Sequence, residues 1–271
     1  RSIYLTHYHP DHLGLAGWLQ EQSGAQVFLL ERDCRMASVI SHPEPTDAGE
    51  LVKMFLSNGL PQELLPDMTT NLGMVQYLVR PSPRLSVLHD GDVVSIGGTW
   101  WQVIWTPGHS DGHMCLYCPD KRLLLSGDHV LPHITPNISL WPGAEVNPLD
   151  EFLSSLDRVA DLEVELILPA HGKPFHDLRG RVEEIKAHHR QRLAQIGSLA
   201  DGTRTAYDIA MEVFGTDLSI HEKRFALGET LAHLEYMAQA GRLTKILRPA
   251  LATPTQCRPL SMTYWQQASG Y

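Results

Sequence analysis

The chain has 271 residues, of which 43% are hydrophobic and 20% charged, enough for one full globular core and a smaller second domain. This composition excludes a disordered protein, four cysteines do not make a disulfide framework, and no apolar stretch reaches membrane-spanning length. Residues 1–174 hold 10 Lys and Arg against 21 Asp and Glu, whereas residues 175–250 hold 11 against 10, so the acidic first region disfavours nucleic acid as a partner.

Short apolar runs alternate with helical patterns through residues 1–174. The runs predicted to be strands are residues 3–5, 27–30, 93–96, 101–105, 114–118, 123–125 and 166–168. Residues 31–84 form a long insertion with amphipathic helical spacing. We expect its apolar face to be core packing, the alternative being that part of it covers a binding site and favours apolar acyl groups.

The composition changes after Pro174. Helical patterns at residues 179–198, 206–214 and 222–240, followed by a β-hairpin at 241–246, predict a winged-helix-like domain over residues 175–250. Residues 251–271 read as an irregular tail.

The segment His7-Tyr8-His9-Pro10-Asp11-His12 directly follows the first predicted strand. Residues two apart in extended backbone project to one side about 6–7 Å apart, so His7 and His9 can bind one metal ion. Asp11 and His12, where the chain turns into a helix, are then free to face a second ion.

Three more metal-binding side chains lie beside glycine at the ends of predicted strands: His109, Asp128 and His171. Glycine lets the backbone turn sharply and lets an ion approach closely. The sequence therefore brings seven candidate ligands to strand ends, where a rigid scaffold can hold them.

The order H-x-H-x-D-H, G-H, G-D and a late H-G resembles the metallo-β-lactamase superfamily over residues 1–174. The resemblance implies an α/β fold, the αββα metallo-β-lactamase sandwich, with two zinc ions or, alternatively, manganese or iron. In it the first metal is held by His7, His9 and His109, the second by Asp11, His12 and His171, and both by Asp128. His171 in an H-G context points to the hydrolase branches rather than to an antibiotic-destroying enzyme.

Two such cations lower the pKa of a shared water, so that a bridging hydroxide becomes the nucleophile. Asp11 and Asp128 are the predicted catalytic residues, Asp11 as a proton donor to the leaving group. His133 and Asn137 follow Asp128 and are candidate pocket residues. His113 and His129 lack family positions and are expected to be structural.

The segment from Pro169 into the following helix resembles the branch that contains glyoxalase-II-like hydrolases and a winged-helix-bearing endoribonuclease. The leading hypothesis is hydrolysis of a small ester, thioester or lactone. The alternatives are metal-dependent RNA cleavage and a nucleic-acid-binding module with a vestigial metal site. The candidate recognition helix carries Glu222, Glu229 and Glu235, which does not make a phosphate-binding face.

The second domain is therefore expected to be a structural cover or a homodimerisation element. Cys115 and Cys118 form one C-x-x-C without a second pair and are expected to be core thiols. With no visible signal peptide, a cytoplasmic location without membrane association is predicted.

In the superfamily the histidine motif follows several strands, whereas here it begins at residue 7. The fold is therefore expected to lack its N-terminal strands. We expect the chain to be the C-terminal part of a longer protein, with a sheet edge beside residues 3–5 that is bare or covered by another chain.

Overall fold

The computed structural model describes residues 1–42, 45–249 and 261–268, without the side chains of residues 45–48. The chain divides into two compact units, the first made of residues 1–43, 73–138 and 150–188, and the second of residues 44–72, 139–149 and 189–271. This division differs from a single boundary after residue 174: the first unit continues to residue 188, and residues 44–72 and 139–149 belong to the second unit.

Two sheets form the centre of the first unit. The first sheet is parallel, in the order β1 (Ser2–Tyr4), β2 (Gln26–Leu30), β3 (Leu85–Leu88). The second has the order β4 (Val93–Ile96), β5 (Thr99–Trp105), β6 (Met114–Cys118), β7 (Leu123–Gly127), β8 (Leu166–Pro169). Its pairs are antiparallel except β7 with β8. All predicted strands are confirmed, and β3 was not predicted.

The helices of the described residues are α1 (Pro10–Leu13), α2 (Ala16–Ser23), α3 (Glu31–Ser41), α4 (Pro45–Ser57), α5 (Leu65–Leu78), α6 (Pro148–Ala160), α7 (Leu178–Leu199), α8 (Ala206–Phe214) and α9 (Ile220–Gln239). None of them is both long and apolar enough to cross a membrane. The three helical patterns predicted after residue 174 correspond to α7, α8 and α9.

Alternating side chains of β2 join two cores. Val27 and Leu29 pack with residues of α1, α2 and α3, while Phe28 and Leu30 face the second sheet and pack with its residues. The period of two in a strand sends successive side chains to opposite faces, so one apolar strand serves both layers. α6 buries Phe152 and other residues one helical turn apart. The predicted αββα architecture is confirmed.

β1 pairs with β2 alone among the described residues, so its other edge has no strand partner there. This is the edge expected beside residues 3–5. The following loop is tied to the second sheet, because Met114 donates its backbone N–H to the Thr6 carbonyl at 2.8 Å.

The second unit contains a three-stranded antiparallel sheet, in the order β10 (Leu243–Pro249), β11 (Ser261–Gln267), β9 (Asp201–Thr205). The predicted irregular tail is therefore wrong for residues 261–267, which pair with both other strands; residues 250–260 and 269–271 lie outside the described residues. Thr205 and Ser219 open α8 and α9 with capping boxes, which explains where these helices begin. The winged-helix assignment stays a prediction.

Candidate metal centre

The loop after β1 presents two histidines and then a helical turn. His7 and His9 point to the same place, as their spacing predicts, and Pro10 occupies the first position of α1. Proline is favoured there because its missing N–H would be unpaired anyway. The turn brings Asp11 and His12 onto α1.

Three imidazoles make the first ligand group, defined as His7, His9 and His109. His7 Nε2 lies 3.0 Å from His9 Nδ1, which lies 2.9 Å from His109 Nε2. Nitrogens around a tetrahedral zinc, each about 2.0–2.1 Å from the ion, are about 3.4 Å apart. The group therefore fits one ion.

The second ligand group consists of Asp11, His12, Asp128 and His171, whose donor atoms all lie within 4.8 Å of one another. His171 Nε2 is 3.2 Å from Asp11 Oδ2, and His12 Nε2 is 3.6 Å from the same oxygen. The mixture of imidazole and carboxylate ligands suits zinc, manganese and iron.

Asp128 touches both groups. Its Oδ2 lies 3.5 Å from His109 Nε2 and 3.5 Å from His171 Nε2, and its Oδ1 lies 3.5 Å from His12 Nε2. Asp128 Oδ1 and His12 Nε2 are buried and have no hydrogen-bond partner in the described part of the chain. Buried polar atoms are almost always paired, so two such atoms facing each other fit a cation held between them.

The protonation states favour metal binding. Burial lowers the pKa of His7, and the neighbouring imidazoles lower it further; burial also lowers the pKa of His109. Burial raises the pKa of Asp128, but His12, His109 and His171 outweigh it and the pKa falls below its ordinary value. Neutral imidazoles and an ionised carboxylate are the forms that bind metals.

Several ligand rings are oriented through their second nitrogen. His109 Nδ1 lies 2.8 Å from the Asn137 carbonyl, which only accepts, so Nδ1 carries the proton and Nε2 presents its lone pair to the centre. Thr6 Oγ1 lies 3.1 Å from His7 Nδ1 and 3.3 Å from His12 Nδ1. Asn137, a predicted pocket residue, thus contacts His109 through its backbone, and the other pocket candidate, His133, is exposed.

His113, which the sequence predicted to be structural, supports Asp128 from behind. Its Nε2 accepts the Asp128 backbone N–H at 3.1 Å, so its proton is on Nδ1, which donates to Thr106 Oγ1 at 2.7 Å. His129 is buried and packs against Phe152. Cys115 and Cys118 are buried free thiols, and burial raises the pKa of Cys115 to about 12, as a core thiol requires.

Asp33 was missed by the sequence analysis. It lies in the first turn of α3, where an aspartate ordinarily faces the N-terminus of its own helix, yet its carboxylate accepts hydrogen bonds from Tyr8, Ser110 and Gly112. Burial raises the pKa of Asp33 to about 7, while these three donors favour its ionised form. No local pattern signals such a residue, because its partners are 25, 77 and 79 residues away.

Comparison with known proteins agrees with this geometry. Residues 1–171 match the family model of the metallo-beta-lactamase superfamily, and residues 193–250 match the metallo-beta-lactamase-like C-terminal domain. A metallo-beta-lactamase family protein of Thermus thermophilus has a similar structure, with a TM-score of 0.82 and 35% identity over 97% of this chain and 79% of that one.

Two curated relatives are named for a hydrolytic activity. A probable metallo-hydrolase of Bacillus subtilis is 25% identical over 261 residues, which are 90% of this chain and 76% of the relative. An atrochrysone carboxyl ACP thioesterase of Aspergillus fumigatus is 30% identical over 108 residues, 40% of this chain and 32% of the relative. The chain spans 40% to 50% of the length of the fungal lactamase-like proteins that it matches. With both domain models matched in order, this chain belongs to the metallo-β-lactamase superfamily.

Proposed function

We propose that the chain hydrolyses a small ester, thioester or lactone with two metal ions, zinc in the first instance. The observation that carries the proposal is the position of Asp128, whose carboxylate lies within 3.5 Å of ligands from both groups. A pair of bound cations supplies a water that ionises near neutral pH and an electrophile for the substrate's carbonyl oxygen.

The chain's own residues prepare the site for this chemistry. The first ligand group holds its nitrogens rigidly, since Thr6 and the Asn137 carbonyl fix the rings of His7 and His109. Asp11 has a side chain that is 55% exposed, so it can exchange protons with solvent and pass one to the departing alcohol or thiol.

Thioesters are the preferred class within this proposal. The support is the Aspergillus fumigatus thioesterase, whose similarity covers 108 residues of the chain. Hydrolysis adds water across the bond between the carbonyl carbon and the leaving atom, giving a carboxylic acid and a thiol, and requires no further reactant.

RNA cleavage is disfavoured by two observations. Residues 1–174 are strongly acidic, which opposes the approach of a polyanion. The helix that would read nucleic acid in a winged helix, α9, is largely buried, including Leu227, Leu231 and Leu234. A helix buried on this scale does not offer a face to a groove.

The test compares three substrates with the purified, metal-loaded protein: acylthioesters, lactones and single-stranded RNA. We expect acylthioester turnover that disappears on chelation and returns with added zinc. RNA cleavage at physiological salt, lost on replacing His9 or Asp128, would establish the endoribonuclease instead. RNA binding without any turnover would favour the binding module with a vestigial metal site.

A further inference from the structure

Two loops that are far apart in sequence supply the first ligand group. His7 and His9 come from the loop after β1, and His109 from the loop between β5 and β6. Across the two loops, His9 Nδ1 lies 2.9 Å from His109 Nε2, about as close as a direct hydrogen bond allows. The geometry of the first ligand group therefore depends on contacts that hold these two loops at a fixed distance.

Asp33 bonds to both loops. Its Oδ2 accepts the backbone N–H of Tyr8 at 3.1 Å, and Tyr8 lies between the two histidines of the first loop. The same oxygen accepts the Ser110 hydroxyl at 2.8 Å, and Oδ1 accepts the Gly112 N–H at 2.7 Å. Ser110 is adjacent to His109, so each bond lands within three residues of a ligand.

The packing around this carboxylate requires a close approach. A Cβ at Gly112 would lie 2.4 Å from the Asp33 backbone nitrogen and 2.8 Å from its Cγ, so only glycine fits. Asp33 is fully buried. Removing this buried acceptor would leave three donors without a partner, which is costly inside a protein.

We propose that Asp33 is a positioning residue for the first ligand group, holding the His7–His9 loop and the His109 loop at the spacing that one metal ion requires. The inference rests on the metal centre proposed above and adds to it a residue that binds no metal itself. Asp33 contacts the two loops through the backbone N–H groups of Tyr8 and Gly112 and the hydroxyl of Ser110, and it does not contact the ligand rings.

The test separates the two ion sites by weakening one at a time. In a His171→Ala background the remaining strong site is the first ligand group, and in a His7→Ala background it is the second. The probe is Co²⁺, titrated against a chromogenic chelator, with the unfolding midpoint of the metal-free protein measured alongside. Asp33→Asn is introduced into each background and into the otherwise unchanged chain.

We expect Asp33→Asn to weaken Co²⁺ binding about 10- to 100-fold in the His171→Ala background, because an amide cannot accept all three bonds. In the His7→Ala background the change should stay within about threefold, as in a residue remote from that site. Asp33→Asn should shift the visible Co²⁺ spectrum in the His171→Ala background, where the first group is intact, and not in the His7→Ala background. A merely structural role would weaken both sites equally.

Two further variants keep the result interpretable. Ser110→Ala removes one donor and leaves both backbone bonds, so it should weaken the first site by about two- to tenfold even if Asp33→Asn does not fold. Glu235→Gln alters another buried carboxylate, one paired with Lys245 at 2.5 Å, and should change neither site.

Unchanged Co²⁺ affinity in both Asp33→Asn and Ser110→Ala, or equal losses in the two backgrounds, would overturn the inference and leave the metal centre standing. Failure of the unaltered chain to bind Co²⁺ at all would overturn the metal centre, and the inference with it.

Discussion

The two ligand groups differ in their exposure to solvent. In the first, His7 is fully buried and the His109 side chain is 8% exposed. In the second, the side chains of Asp11 and His171 are 55% and 47% exposed. The first group is thus enclosed by the protein, while the second opens to solvent, where substrate and leaving group can enter. The contrast teaches that one metal centre can combine a buried ligand group with a second ligand group that is accessible to substrate.

The largest effect is expected where the two groups meet. Asp128→Ala removes the carboxylate that both share, and turnover should fall by about 1000-fold or more, because a metal pair stabilises the transition state by several kcal/mol. Initial rates and bound metal per chain are the measurements. Asp120→Ala, in an exposed 3-10 helix at residues 119–121, is the control. Full activity in Asp128→Ala would end the two-metal hypothesis.

A second prediction compares ligands from the two groups. His7→Ala should weaken binding of one ion about 100-fold, because water does not readily replace a donor in a buried site. His171→Ala should weaken the other ion only about tenfold, since solvent can fill the exposed position. Metal titration of both variants measures this. Equal losses of metal affinity in the two variants would contradict the proposed difference between the buried first group and the exposed second group.

Asp11→Asn preserves shape and removes a charge on the exposed side. We expect kcat to fall about tenfold through the loss of a proton donor and a metal ligand. The free energy of unfolding of the metal-free protein should change by less than about 0.5 kcal/mol, because Asp11 is half exposed. A kcat equal to that of the unaltered chain would remove Asp11 from the mechanism.

The smallest effect on activity is expected for Thr106, which contacts Asp128 only through His113. Thr106→Val keeps the shape but removes the hydroxyl 2.7 Å from His113 Nδ1, leaving that buried donor unpaired. The free energy of unfolding should fall by about 1–3 kcal/mol, and kcat by less than about threefold. Urea denaturation and initial rates measure the two quantities. A large loss of kcat at unchanged stability would give His113 a more direct role.

Much of the site was predictable because its ligands occur in short motifs. The spacing of His7 and His9 dictates a shared side in extended backbone, and glycines mark the turns that carry His109, Asp128 and His171. Strands such as β5 and β7 were predictable for a related reason, since a short apolar run bounded by turn residues is itself a signal for a strand.

Other elements gave no such signal. β3, β9 and β11 were not predicted, because such strands are stabilised by the strands beside them: β11 pairs with β9, which is distant along the chain. The helical insertion illustrates the same limit, since amphipathic spacing shows that a helix buries a face but not which unit receives it.

The sequence by itself determined the chemistry available to this protein: which side chains can bind metal, in which order, and on which loops. Only the tertiary structure decided that Asp128 lies within 3.5 Å of ligands from both groups and that Asp33 bonds to both ligand loops. Motifs are local because neighbouring backbone geometry sets them, whereas distances between loops follow from packing among residues far apart in the chain.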